Sequence, residues 1–337
     1  MSIRQRKTLL SLFFVVSIIP LSFAAGAERP LRVAYTAIDT VFLPIWVTKE
    51  AGLFEKHRLS VELISVRSSP LCLSAHLAGE IDVCAGGTSP VVAAHLQSQR
   101  DVVLFGTLNK KAGFWVYSKP SIASLSALRG KRFGVTRFGG ALDFVSRYFL
   151  RQAGLDPNRD VTMIQIGSTP DIVLALAADS IDAGTLSLPS NLKAKELGFR
   201  ELADFTDVKD SYPSAGLSAR RQFLIDSKSK MESFTKALIE AIHHIRTNRQ
   251  EALKILSRYT RVTDSKMLAA AYDLHVQKIW PRVPEIGPDD LRLVLEHSAQ
   301  TNPRALSIDP STIVYGSLIK DAIKAGFVDR LYRGEQR

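Results

Sequence analysis

Residues 132–136, Arg-Phe-Gly-Val-Thr, stand one hundred positions after residues 32–36, Arg-Val-Ala-Tyr-Thr, and each stretch opens one copy of a longer pattern. Val61, Ile64, Ser68 and Pro70 recur at the same offset as Val161, Ile164, Ser168 and Pro170, and Ile81-Asp82 recurs as Ile181-Asp182. Ala51-Gly52-Leu53 returns two residues out of step as Ala153-Gly154-Leu155, and Ser89-Pro90 falls near Leu188-Pro189. So many matches in one order indicate two copies of a supersecondary unit.

Each copy reads strand, helix, strand, helix, strand. The first strands are expected at 31–36 and 132–136, and the helices after them at 44–53 and 142–155, ending on a glycine suited to a left-handed turn. Second strands follow at 61–66 and 161–166. Ser69 and Thr169 are expected to cap helices opening on Pro70 and Pro170, where a missing N–H costs nothing. Third strands start from Ile81 and Ile181. Connections of this length make a parallel, right-handed α/β sheet, so two copies predict two similar α/β lobes. Beyond residue 230 the repeat stops. Helices are expected at 230–258, 265–278, 289–300 and 310–325, packing around the lobes.

The 337-residue chain suits two domains better than one. Its first 27 residues carry Arg4, Arg6 and Lys7, then an apolar run at 9–23, then Ala25 and Ala27 in an A-x-A arrangement. That is the pattern of a secretory signal peptide cleaved after Ala27, and the run is too short and too interrupted to be read as an anchor. Loss of its three basic residues would bring the net charge from +11 to +8. The remaining basic charge is dispersed and lacks interleaved aromatics, which argues against nucleic acid as a partner. Cys72 and Cys84 are too few for a disulfide framework, and they are read as small buried apolar residues, although export would permit a bond between them.

In an open parallel sheet the ligand sits beyond the carboxyl ends of the strands. The loops there are 37–41, 67–70 and 86–90 in the first lobe, and 137–142, 167–170 and 186–190 in the second. Candidate ligand residues are Asp39, Thr40, Arg67, Ser68, Ser69, Gly87, Thr88 and Ser89 on one side, and Arg137, Gly139, Gly140, Ala141, Asp143 and Ser187 on the other. Amide groups at helix starts and arginines that can pair twice with an oxyanion favour an anionic or polar solute. The competing reading makes Arg67 and Arg137 surface arginines, or gives them salt bridges to Asp39 or Asp143. Phe42, Phe138 and Tyr212 are candidates for an apolar wall. Asp82 and Asp182 are read as turn residues at the strand ends away from the cleft. No nucleophile elbow, P-loop, H-E-x-x-H or dinucleotide fingerprint occurs, and neither a catalytic group nor a metal or cofactor is expected.

The stretches AGLFEKHRLSVEL (51–63), LAGEIDVCAGGTSPVVAA (77–94), LRGKRFGVTRFGGALDF (128–144) and QAGLDPNRDVTMIQIGSTP (152–170) closely resemble solute-binding proteins of ABC importers. The resembling branch includes binders of aliphatic sulfonates, taurine, nitrate and thiamine-pyrimidine precursors. This resemblance implies a type II-like periplasmic binding fold, with lobe 1 at 28–113 plus 211–337, lobe 2 at 114–210, and hinges near 111–117 and 205–213. It implies a monomeric, non-enzymatic protein that closes on its solute and hands it to a permease and ATPase. Ser187-Leu188-Pro189 stands where sulfonate-binding relatives often have a Trp-Asp-Pro-like triplet. Two alternatives remain: an enzyme of thiamine-pyrimidine synthesis with the same fold, or a ligand-sensing module of a membrane receptor.

Overall fold

The computed structural model describes residues 29–333, so the expected signal peptide and its cleavage point lie outside the described residues. Among the described residues ten strands form two five-stranded sheets. The first contains β1 (Leu31–Tyr35), β2 (Val61–Ser65), β3 (Val83–Gly86), β4 (Val102–Thr107) and β10 (Gly216–Arg220). The second contains β5 (Phe114–Ser118), β6 (Arg132–Val135), β7 (Thr162–Gln165), β8 (Ala183–Ser187) and β9 (Arg200–Asp204). Their orders are β2-β1-β3-β10-β4 and β7-β6-β8-β5-β9, the same topology twice. In each sheet one strand, β10 or β5, runs against the other four, and it is the one that has just crossed from the other lobe. Phe114 and Tyr117, expected within the first hinge, are therefore strand residues of lobe 2.

The offset of one hundred survives at the level of register. Val33 pairs with Val83 as Phe133 pairs with Ala183, and Arg32 pairs with Glu62 as Arg132 pairs with Thr162. Both aspartates at the strand starts hold the chain in place. Asp82 accepts from the Arg32 N–H and from both terminal nitrogens of Arg29, and Asp182 accepts from the Arg132 N–H, the Arg132 guanidinium and Lys119. Burial pushes Asp82 up, but its arginine and backbone donors outweigh that and hold it below the ordinary carboxylate value. Arg132, with Lys119 adding to it, depresses Asp182 strongly.

The layer between each sheet and its helix shows how the copies diverged. In lobe 2, Gly134 and Gly184 lie side by side in the sheet so that Ile172, fully buried, can press against them. The lobe 1 counterparts are Ala34, Cys84 and Cys72, and there the expectation of two unbonded cysteines is overturned: Cys72 and Cys84 form a disulfide. A helix-to-strand cross-link occupies the space that one isoleucine fills over two glycines. A Cβ on Gly184 would lie 2.6 Å from Ile172 Cγ2 and 3.1 Å from the Gly134 carbonyl oxygen. Gly184→Ala is expected to cost about 1–3 kcal/mol by overpacking, read as a lowered melting temperature; an unchanged midpoint would show that Ile172 can move aside.

The helix boundaries also correct the sequence reading. The N-caps are Ser68 and Ser168, one residue earlier than expected, with Ser69 and Thr169 in the first turns beside their prolines. Gly52 and Gly154 adopt the expected left-handed conformation, at φ +67° and +74°. The single helix expected over 230–258 is two, Lys228–Thr247 and Arg249–Thr260, separated at Asn248, whose backbone leaves the helical region. Helical spacing of apolar residues continues across a bend, so periodicity alone does not mark it. Phe234, Leu238 and Ile245 from the first of these helices join Val33, Leu43, Val47 and Phe105 in the lobe 1 core.

The two crossovers, 108–113 and 205–215, run side by side. Asn109, fully buried, donates to the Lys111 carbonyl and the Ser214 hydroxyl and accepts from the Ala215 N–H. Tyr212 in the second crossover stacks on Phe144 of the Ala141–Gln152 helix, with centroids 4.3 Å apart.

Candidate functional site

The carboxyl ends of both sheets face each other across a cavity of about 970 Å³. Lobe 1 lines it after β1 with Thr36 and Asp39 and after β2 with Arg67, Ser68 and Ser69. Lobe 2 does so after β6 with Thr136, Arg137, Gly140 and Ala141, after β7 with Ser168 and Thr169, and after β8 with Ser187. Three helices, Ser69–Leu77, Ala141–Gln152 and Thr169–Ala177, point their N-termini at this space. Their first amide groups lack intrahelical acceptors, which favours a ligand rich in acceptor oxygens.

Equivalent positions of the repeat are used differently. Ser168 caps its helix by accepting from the Asp171 N–H, and its hydroxyl donates to the Asp171 carboxylate at 2.5 Å. Lobe 1 has Leu71 in place of Asp171, and Ser68 Oγ is buried at the cavity wall without a hydrogen-bond partner. Such an orphaned hydroxyl costs about 1–3 kcal/mol unless something binds it. The neighbouring Ser69 is engaged: its hydroxyl accepts from the Gly87 N–H at 2.7 Å.

Arg67 and Arg137 both reach the cavity, one from each lobe. The competing salt bridges are not formed. Asp143 is buried and accepts from Arg147 and the Gly139 N–H, while Asp39 accepts from the Val41 N–H. Neither arginine side chain has a hydrogen-bond or ion-pair partner among the described residues. Burial raises Asp39 to about 6, and the Ser187 hydroxyl and the Val41 N–H offset part of that cost. Since Asp39 belongs to lobe 1 and Ser187 to lobe 2, the pair spans the cleft. The Thr40 hydroxyl adds a 3.4 Å contact to the Leu188 carbonyl oxygen across the same seam.

Thr40, Gly87, Thr88, Ser89, Gly139 and Asp143 do not line the cavity. Thr88 is fully buried against Gly216, because β10 enters the sheet beside β3 and closes off that loop. Ser89, Gly139 and Asp143 instead face a second groove of about 600 Å³ behind the cleft, together with Phe138. Of the three expected wall aromatics only Phe42 borders the cavity, and Tyr212 is fully buried behind it. Tyr35, Thr36, Thr136 and the 258–261 segment were not anticipated. Thr36 and Thr136 could have been found, since the repeat aligns them at strand ends. The 258–261 segment has no counterpart in the repeat and reaches the cavity only because its helix folds back onto lobe 1. Among the described residues no group of histidines, cysteines and carboxylates could hold a metal, and no helix is long and apolar enough to cross a membrane.

The family model described as "NMT1-like family" matches residues 24–257. The putative binding protein YtlA of Bacillus subtilis (strain 168) is 23% identical over 239 residues, 68% of this chain and 72% of that protein. A solved structure from Bordetella bronchiseptica RB50 superposes with a TM-score of 0.78 at 20% identity, covering 92% of this chain and 99% of the other. The periplasmic aliphatic sulphonate binding protein SsuA from Escherichia coli superposes at 0.68 with 19% identity, over 87% and 99% of the two chains.

Proposed function

Because the chain belongs to the NMT1-like family, we propose that it is the extracytoplasmic solute-binding component of an ABC importer, without catalytic activity of its own. One observation carries this reading: two sheets joined by paired crossovers enclose a cavity into which each lobe sends an arginine lacking an internal partner. A carboxylate, sulfonate or other oxyanion pairs twice with such a group. The signal-like residues 1–27 support export, and relatives described as binding proteins support capture rather than turnover. The proposed partners are the solute and the permease and ATPase that receive it, with the binding protein acting as a monomer. The proposed ligand set is the cavity-lining part of the candidates, centred on Ser68, Ser69, Arg67, Arg137, Gly140, Ala141, Asp39 and Ser187.

The lobes move as bodies about the crossovers 108–113 and 205–215, because a solute enclosed from both sides can enter only through hinge opening. X-ray scattering in solution is expected to give a smaller radius of gyration with saturating solute than without it. An identical radius in both states, with binding verified by calorimetry, would contradict closure.

A further inference from the structure

The aromatic rings bordering the cavity are concentrated on one wall. On the lobe 1 side Tyr35, Phe42 and Tyr259 form an aromatic corner. The Tyr35 ring lies 6.2 Å from Phe42 and 6.5 Å from Tyr259, and Tyr259 is backed by Trp46 stacked at 4.5 Å. The Tyr259 hydroxyl is tied to Glu50, which also pairs with Arg258, so ring and carboxylate are both fixed. The lobe 2 side carries the polar groups Thr136, Arg137, Ser168 and Thr169, with Leu142 and Ile166 as apolar neighbours and Phe114 as its one lining aromatic ring.

Charge is distributed just as unevenly. Arg67, Arg137 and Arg261 border the cavity without a partner among the described residues. The carboxylates there are engaged: Glu50 by Arg258 and Tyr259, Asp171 by Ser168, and Asp39 by the Val41 N–H. The excess of available donors is cationic. The buried Ser68 hydroxyl adds a further unused group on the same wall as Arg67.

The cleft also has room for a ring. Pockets of roughly 300–1,000 Å³ enclose ligands of many heavy atoms, and about 970 Å³ lies at the upper end. A nitrate ion or a short aliphatic acid has no ring to place on this corner, where Tyr259 is half-buried and Tyr35 and Phe42 show only an edge.

Resting on the reading of the cleft as a solute site, we infer that the ligand is an aromatic acid, its ring held against Tyr35, Phe42 and Tyr259 and its anionic group bridged by Arg67 and Arg137. Aromatic rings bury large area and prefer offset or edge-to-face partners, which this corner supplies. Because one arginine comes from each lobe, the anion also draws the lobes together.

The test is a calorimetric titration of purified protein with matched pairs: benzoate and naphthoate against acetate, benzenesulfonate against methanesulfonate, phenyl phosphate against inorganic phosphate, with nitrate alongside. In at least one pair the aryl acid is expected to bind tenfold or more tightly than its partner, and the best pair identifies the anionic group. Arg137→Ala and Arg67→Ala should each weaken that best ligand by about one to two orders of magnitude; neither side chain has an internal partner, so unchanged melting temperatures are expected. Aliphatic or inorganic anions binding as tightly as every aryl acid would overturn the aromatic assignment and leave the solute-site reading intact. Affinity for an aryl acid unmoved by both arginine variants would overturn the anionic clamp. If none of these acids bound but a neutral or cationic solute did, the inference would fall and the solute site would stand. Absence of binding by any small molecule would remove both.

Discussion

Replacing Cys72 and Cys84 together by alanine should lower the stability of the protein by at least about 3 kcal/mol. The cross-link spans 12 positions in sequence, and closing a loop of that order in the unfolded chain is worth about 3 kcal/mol on the chain-entropy account. Loss of packing adds to this, since both cysteines are buried beside Ala34 and Ile81. A functional effect should accompany the structural one. Cys72 sits in the helix that opens with Ser69, Cys84 sits in the strand that runs into Gly87, and the Gly87 N–H donates to Ser69 Oγ. The bond thus clamps the cavity wall that carries Ser68 and Arg67. Denaturant unfolding of the oxidised protein against the double variant measures the first effect, and thiol titration of the denatured, unreduced protein should find no free sulfhydryl. A loss below 1 kcal/mol, or two titratable thiols, would defeat the prediction.

Asp39→Asn should stabilise the folded protein at neutral pH by up to about 3 kcal/mol, and the gain should vanish on acidification. Burial moves Asp39 from its ordinary 3.8 to about 6, and each pKa unit corresponds to about 1.4 kcal/mol. The folded state therefore retains a proton that the unfolded chain has released between roughly pH 4 and 6. Stability contributed at this site falls as pH rises through that window, and the full penalty persists above it. Asparagine carries no charge to desolvate, so the difference between variant and parent should be greatest above pH 6.5 and small at pH 4. Ser187, which faces Asp39 from the other lobe, offsets part of this penalty through its hydroxyl. Unfolding curves for both proteins at pH 7.5, 6 and 4.5 decide the matter: a constant difference across the series would show that Asp39 is not the titrating group.

The core of lobe 1 illustrates where reading the sequence stops. Cys72 and Ile172 are one hundred residues apart and stand over the same pair of sheet positions, Ala34 with Cys84 and Gly134 with Gly184. Alignment of the copies places all six residues in one layer. It does not say whether two sulfur atoms in that layer meet, because that depends on the separation between helix and strand.

Local signals of the chain were enough to determine the duplicated α/β unit, the strand ends that form the cleft, the left-handed glycines at 52 and 154, and Arg67 and Arg137 as candidates. These rest on the repeat at an offset of one hundred residues and on properties that act over a few residues: β-branched runs, proline at helix starts and glycine at positive φ. The tertiary structure alone decided which loops reach the cavity. Thr88 has loop chemistry as promising as that of Ser68, yet β10, more than a hundred residues later, packs beside β3 and buries it against Gly216, while Ser89 is turned to the second groove. Arg258 to Arg261 came to the cavity by the converse route, carried there by a helix outside the repeat. Long-range packing sets both outcomes, since a side chain's access to a cleft depends on what the remainder of the chain places against it.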